Sequence, residues 1–224
     1  MRKLFMTTTA AAIAMSGAAY AQTMATAGTD LNVRSGPGVQ HEVIGAITSG
    51  DEVTVNGCIE SANWCEVVAG DLSGWAYGDY LTVKAGDTVE ALYPNRQEIG
   101  VTVIEAPADS DAPSTGQNAA VGSATGAAMG ALIAGPVGAI AGAALGGTSG
   151  AAATEEPSTE VTTYVTQNSV EPVYLEGEVV NGAGIPDNVT LYDIPDQPDY
   201  RYASINGQTV LVNPNERKIV YIYR

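Results

Sequence analysis

The chain has 224 residues, enough for two small domains, and carries a formal net charge of −16. A chain with this much negative charge repels nucleic acid and anionic lipid headgroups. We therefore expect any membrane contact to be apolar or mediated by another protein. One histidine and two cysteines are too few for a zinc site built from these residue types, and we expect neither a metal nor another cofactor.

Residues 1–21 have the pattern of a secretory signal peptide. Arg2 and Lys3 precede an apolar run, and the small residues Ala19 and Ala21 frame a cleavage site. An uncleaved anchor is disfavoured because the apolar run is short for a membrane span. Cleavage after Ala21 leaves 7 of the 9 basic residues against all 25 acidic ones, a net charge of −18. We therefore expect a protein of the periplasm or cell envelope, with membrane association as an open alternative.

Residues 25–84 alternate short apolar runs with turn sequences. Turns are predicted at SGPG (35–38) and at Asn56-Gly57, a dipeptide typical of tight hairpins. Short strands joined by such turns predict a small β-barrel. The runs with strand character are residues 31–34, 43–47, 52–55, 64–68, 74–77 and 81–83.

Three motifs in this module resemble those of the bacterial SH3-like domain. They are LNVRSGPG at residues 31–38, WCEV at 64–67 and GWA at 74–76. The resemblance covers about sixty residues. It implies a binding module of cell-wall or envelope proteins, whose ligands are peptidoglycan peptides or protein segments.

Five residues of this module are candidates for ligand contact. Asn32 and Arg34 would supply polar contacts, while Trp75, Tyr77 and Tyr80 would form a flat aromatic wall beside a shallow groove. The alternative is structural: the polar pair braces the first loop, and the tryptophans belong to the core.

The two cysteines, Cys58 and Cys65, follow the signal sequence, and an oxidising compartment makes a disulfide the default expectation. Cys58 ends one predicted strand and Cys65 lies in the next, so the two can face each other across a hairpin. His41 is predicted to be a surface loop residue, because nothing near it indicates an activated nucleophile.

Residues 85–117 are predicted to form a hairpin followed by a linker. The segments 89–93 and 99–104 have strand character and flank a turn at 94–97. The Ala, Pro, Asp and Ser residues that follow are typical of a disordered linker.

Residues 118–150 contain no charged residue and place glycine at nearly every fourth position. A step of four returns to almost the same side of a helix, so these glycines form one stripe. Because Gly135-Pro136 interrupts the repeat, we predict two helices folded into a hairpin, each shorter than the roughly 20 residues that span a bilayer. The stripe comprises Gly122, Gly126, Gly130, Gly138, Gly142 and Gly146.

This stretch resembles the glycine-zipper segments of bacterial envelope proteins. The resemblance implies membrane association or self-association into a homo-oligomer, through close helix contact at small residues. The alternative is a flexible Gly/Ala linker. The fourfold register favours the first interpretation, because a linker needs no register.

Residues 151–156 form a second linker, and residues 157–224 are predicted to be a small β domain. Residues 159–165 alternate like a strand, and Asn206-Gly207 between two alternating runs predicts a hairpin within a three-stranded meander. The region resembles domain of unknown function family 1236, which has no activity to transfer. The resemblance rests on GEV (177–179), IPDNVTLY (185–192), YRY (200–202) and NG (206–207). Its tyrosines form either cross-strand pairs or a recognition surface.

The predicted fold is therefore mainly β, with an SH3-like barrel and a C-terminal meander separated by a Gly/Ala-rich helical hairpin and linkers. We predict a non-enzymatic envelope protein whose partner is a cell-wall peptide or an envelope protein. Two alternatives remain: a soluble periplasmic scaffold in which the glycine stretch is only a linker, and the targeting subunit of a wall hydrolase.

Overall fold

The structure is a computed structural model that describes residues 22–86, 88–106 and 156–224. The predicted signal peptide, the glycine stripe and most of both linkers lie outside these residues. Within them the fold is mainly β, as predicted, and consists of a curled nine-stranded sheet and a separate four-stranded sheet. None of the helices in these three ranges is long and apolar enough to cross a membrane.

The first sheet contains every predicted strand of the SH3-like module and one, β1, that was not predicted. Its strands are joined in the order β3-β2-β6-β5-β4-β1-β7-β8, and β9 pairs with β4 outside this path. The strands are β1 (Thr23–Ala27), β2 (Leu31–Arg34), β3 (Val43–Ile47), β4 (Glu52–Ile59), β5 (Trp64–Ala69), β6 (Leu72–Tyr77), β7 (Leu81–Ala85), β8 (Thr88–Ala91) and β9 (Val103–Ile104).

The disulfide prediction is confirmed. Cys58 on β4 and Cys65 on β5 are directly opposite each other in the antiparallel ladder, and both are completely buried. The bond therefore ties two neighbouring strands at the centre of the sheet.

The predicted turn at Asn56-Gly57 is wrong, because both residues lie inside β4. The register with β5 shifts between Val55 and Gly57, which is the mark of a β-bulge. A Cβ on Gly57 would lie 2.7 Å from the Ile104 side chain and 2.8 Å from the Thr102 carbonyl oxygen. The glycine therefore makes room for β9 rather than for a turn.

The predicted hairpin of residues 89–104 is not formed either. β8 pairs antiparallel with β7, whereas β9 pairs parallel with β4. The segment between them contains the short helix α1 (Arg96–Ile99), which ends at Gly100 in the left-handed conformation with φ 78°. Tyr93 anchors this segment, since its hydroxyl donates to the Ile59 and Glu60 carbonyls, each at 2.9 Å.

The strand predicted at residues 159–165 is wrong, and the structure has helix α2 (Thr159–Gln167) there. The Ser158 hydroxyl oxygen caps the helix by accepting a bond from the Val161 backbone N–H at 3.3 Å. Val161 and Val165, four residues apart, are buried on one helix face. The alternating pattern of residues 159–165 predicted a strand, but the cap and the fourfold spacing of Val161 and Val165 determine the structure.

The predicted C-terminal meander is confirmed. Strands β11 (Arg201–Ile205), β12 (Gln208–Asn213) and β13 (Lys218–Ile222) pair in order, with β10 (Tyr192–Asp193) beside β11. Asn206 and Gly207 both have positive φ, at 49° and 79°, which is the geometry of a tight two-residue hairpin turn.

Each face of this second sheet is buried differently. One face meets α2 in a cluster that includes Val161, Val165 and Leu211. On the other face, Val210 and Val212 belong to the same hydrophobic cluster as the interior of the first sheet. The two sheets therefore share one continuous core, although each contains its own sequence-local hairpins.

Candidate functional site

The two polar residues predicted for ligand contact lie on the short strand β2, and both are buried. Asn32 is 0% exposed and Arg34 is 1% exposed. Charged side chains are almost never fully buried unless they are paired. The partner of Arg34 is Glu178, which lies in the C-terminal domain and is itself 0% exposed.

Arg34 and Glu178 form a bidentate ion pair. The Arg34 Nε lies 2.6 Å from Glu178 Oε2, and its Nη2 lies 2.7 Å from Oε1. Glu178 Oε1 also accepts bonds from Asn32 Nδ2 at 3.1 Å and from the Val179 backbone N–H at 2.8 Å. The buried carboxylate is thus neutralised and surrounded by donors, the condition under which a buried ion pair is tolerated.

Asn32 extends this network to two more residues of the C-terminal domain. Its Nδ2 donates to Gln208 Oε1 at 2.8 Å, and its Oδ1 accepts from Arg224 Nε at 3.1 Å. We call the whole set the interdomain polar cluster; it consists of Asn32, Arg34, Glu178, Gln208 and Arg224.

Arg34 also braces the loop that follows β2. Its Nη1 donates to the Val39 carbonyl at 3.0 Å and to the His41 carbonyl at 2.7 Å. The geometry therefore contains both roles considered for this residue: it holds the loop, and it recognises a carboxylate. The carboxylate that it recognises in this arrangement belongs to the chain itself.

The three predicted aromatic residues do not form an exposed wall. Trp75 and Tyr80 are buried, and Tyr77 is half-buried. The Tyr77 ring meets Trp64 edge-on at 5.5 Å and Tyr80 at 6.0 Å between ring centroids. Contact of these rings with a ligand stays a prediction, and in this structure they pack the interior.

Burial governs the ionisation of this aromatic cluster. Removal from water, with Asp79 nearby, raises the pKa of Tyr80 to about 12 and raises the pKa of Tyr77 as well. Burial also raises the pKa of the Asp79 carboxyl, opposed by the bond that Asn63 donates to it at 2.6 Å. These perturbed groups are held in packed contacts.

An open groove of about 560 Å³ lies between the first sheet and the C-terminal domain. We call it the β3 groove. One wall is the continuous segment 39–46, which includes most of β3, and the opposite wall includes Tyr174, Gln208, Tyr223 and Arg224. Sequence reasoning did not find this groove, because its walls come from segments more than one hundred residues apart.

His41 is one of the polar residues that line the β3 groove. Its Nε2 is buried and has no hydrogen-bond partner in the described part of the chain. The ring is fixed against Gly36, where an added Cβ would lie 2.5 Å from His41 Nδ1. The surface loop predicted for His41 is therefore only partly correct, since the residue is half-buried in a groove wall.

No set of three or more His, Cys, Asp or Glu side chains in residues 22–86, 88–106 and 156–224 is placed to hold a metal ion. The polar side chains of the residues that line the β3 groove are one imidazole, two phenols, three amides, two guanidinium groups and the carboxylate of Glu42. This set can form hydrogen bonds to a ligand and can pair with its charge.

Comparison with known proteins assigns both folded regions. Residues 29–82 match the family described as "Bacterial SH3 domain", and residues 164–224 match "Domain of unknown function (DUF1236)". The chain is also 44% identical over 59 residues to "Probable endopeptidase p60" of Listeria innocua serovar 6a (strain ATCC BAA-680 / CLIP 11262), a match that covers 26% of this chain and 12% of that protein. No solved structure matches the chain significantly. The chain therefore carries a bacterial SH3 domain followed by a DUF1236 domain.

Proposed function

We propose that this protein is a non-enzymatic component of the cell envelope that binds a cell-wall peptide or an envelope protein through its SH3 domain. The observation that carries the proposal is the bacterial SH3 domain at residues 29–82. Modules of this kind bind peptidoglycan peptides or protein segments, as the sequence resemblance implies. The partly similar relative, whose name describes a probable endopeptidase, matches over 59 residues, which is 12% of its own length.

An extracytoplasmic location follows from two features. Cys58 and Cys65 form a buried disulfide, a bond that persists in oxidising compartments. The N-terminal residues have the pattern of a secretory signal peptide. Together they support export to the periplasm or envelope.

The interdomain polar cluster sets a condition on how the ligand binds. Asn32 and Arg34 are buried, and both bond to Glu178 of the DUF1236 domain. A ligand that binds these two side chains must therefore displace Glu178. With the two domains docked, the binding unit comprises both domains.

Sedimentation with purified sacculi tests this function. The mature protein is incubated with intact sacculi and, as the matched control, with glycan strands from which the peptides have been removed enzymatically. We expect the protein to pellet with the intact sacculi and to remain in solution with the bare glycan. If it pellets with neither and crosslinks to no envelope protein in cells, the proposed function is wrong.

A second candidate function is that of a subunit of a wall hydrolase. The name of the Listeria relative is the observation that favours it. Incubation of the mature protein with peptidoglycan, followed by mass spectrometry of the soluble products, distinguishes the two. Newly cleaved fragments would overturn the non-enzymatic proposal, whereas bound but intact peptidoglycan would support it.

We further propose that the glycine stretch serves membrane association or self-association. The uncharged fourfold glycine repeat of residues 118–150 supports this proposal. Membrane fractionation of the full chain, beside a variant that lacks residues 122–150, provides the test. Retention of the full chain alone after a carbonate wash supports a membrane role. A smaller oligomer for the deletion variant supports self-association. If the two proteins do not differ in either measurement, the glycine stretch is only a linker.

A further inference from the structure

We propose that the β3 groove binds an extended peptide segment, which joins the first sheet as an additional strand beside β3. This inference rests on the proposed function, because it names the place and the class of the ligand. Among the described strands, β3 stands at the end of the sheet order and pairs only with β2. The backbone groups on its other edge are therefore available to a new strand.

The lining of the groove shows that it meets the edge of β3 and not one of its faces. Side chains alternate between the two faces of a strand, so a pocket over one face is lined by every second residue. Here four consecutive residues, Val43, Ile44, Gly45 and Ala46, all line the groove. A peptide in this groove would thus face the hydrogen-bonding edge of the strand.

Ala46, on β3, is small and exposed, and it leaves room for a neighbouring backbone. Ile44 is 44% exposed and offers an apolar contact to one side chain of the incoming segment. The opposite wall, which includes Tyr174 and Tyr223, limits the space to a groove. A space with two walls suits a single extended segment.

The interdomain polar cluster holds both walls of the groove in place. On one side, Arg34 fixes the carbonyls of Val39 and His41. On the other, Asn32 bonds to Gln208 and Arg224, which line the opposite wall. The ion pair that docks the domains therefore also prepares the groove, and preorganisation of this kind lowers the entropic cost of binding.

His41 supplies a specific anchor for the peptide. Its Nε2 is buried and unpartnered, and an unsatisfied buried polar atom carries a free-energy cost. An amide or carbonyl group of the bound segment would satisfy this atom. Because Nε2 is buried in the free protein, the segment 39–41 must open slightly before the bound peptide reaches this atom.

The experiment uses the mature protein with its disulfide intact, and soluble stem peptides released from purified sacculi as the probe. Ala46→Trp places a large ring in the groove, and Val89→Trp is the matched control on β8, the strand at the other end of the sheet order. His41→Phe keeps the ring but removes its nitrogens. Thermal melts of the three variants establish that each one folds.

We expect Ala46→Trp to weaken peptide binding by at least tenfold and Val89→Trp to leave it within twofold of wild type. His41→Phe should weaken binding by about tenfold, the equivalent of one lost hydrogen bond. In NMR spectra, the peptide should shift the backbone amides of residues 39–46 and slow their hydrogen exchange.

The possible results distinguish a failure of this binding site from a failure of the proposed function. If wild type and Ala46→Trp bind stem peptides and sacculi equally well, the groove is not the site, although the function stands. Binding to sacculi without any change at the amides of residues 39–46 overturns the site in the same way. If wild type binds neither probe, both the site and the function are wrong for cell-wall peptides.

Discussion

Arg34 of the SH3 domain and Glu178 of the DUF1236 domain are 144 residues apart in the sequence, yet they form a fully buried bidentate ion pair. The pair stands beside the hydrophobic cluster that both domains share. Apolar contacts alone tolerate shifts in register. A two-pronged ion pair fixes one arrangement, because any displacement leaves a charge buried without its partner.

The ion pair predicts strong coupling between the two residues. Arg34→Met or Glu178→Leu alone should lower the free energy of unfolding by about 3–5 kcal/mol, because each leaves an uncompensated buried charge. The double variant should lose much less than the sum, since no buried charge remains. Urea denaturation of the wild type, both single variants and the double variant measures this coupling.

The matched control for this prediction is the exposed pair of Lys218 and Glu216, whose side chains are 55% and 60% exposed. Lys218→Met should change stability by less than about 1 kcal/mol, because water screens exposed charges. If the Arg34 and Glu178 variants behave like this control, the interdomain polar cluster does not hold the domains together.

The disulfide gives the second prediction. Cys58 and Cys65 are only seven positions apart, so the bond closes a short loop, and the chain-entropy model gives about 2 kcal/mol. Replacing both cysteines with alanine should lower the free energy of unfolding by about this amount. The comparison is made by urea denaturation without reductant. A variant as stable as wild type would show that the strand pairing alone fixes this hairpin.

Gly74 gives the third prediction, and it explains the first position of the GWA motif. A Cβ at this residue would lie 2.5 Å from the Arg34 carbonyl oxygen and 2.8 Å from the Val33 side chain. Gly74→Ala should therefore destabilise the protein by about 1–3 kcal/mol through overpacking. Ser73→Ala, at the exposed neighbouring position, is the control and should be nearly neutral in the same thermal melts. Equal melting temperatures for the two variants would contradict the close approach of β6 to β2.

Local sequence signals predicted the parts of the fold that depend on neighbouring residues. Asn206-Gly207 predicted the C-terminal hairpin because positive φ angles favour these two residues. Alternation of apolar residues located most strands of both sheets. The disulfide followed from two cysteines on adjacent predicted strands.

Other features depend on contacts between distant segments, which one sequence does not display. Asn56-Gly57 has the composition of a turn, but both residues lie within β4. β9 pairs with this strand and packs against Gly57. Arg34 was identified as a polar contact residue. Its partner Glu178 lies in the GEV segment (177–179) that carries the resemblance to family 1236, but that family has no activity to transfer, so nothing indicated that Glu178 pairs with Arg34. The β3 groove was missed for the same reason.

Tyr80 gives the last prediction, which concerns alkaline pH. Burial, reinforced by nearby Asp79, raises its pKa from 10.0 to about 12 in the folded state. The folded protein therefore holds the phenol proton more tightly than the unfolded chain does. The contribution of the protonated Tyr80 to stability is complete below pH 10 and should be lost as the pH rises from about 10 to about 12.

Absorbance at 295 nm should show a late tyrosinate step in wild type that coincides with unfolding. In Tyr80→Phe that late step should shrink. A late step of unchanged size in Tyr80→Phe would show that the Tyr80 phenol does not titrate late and is open to water.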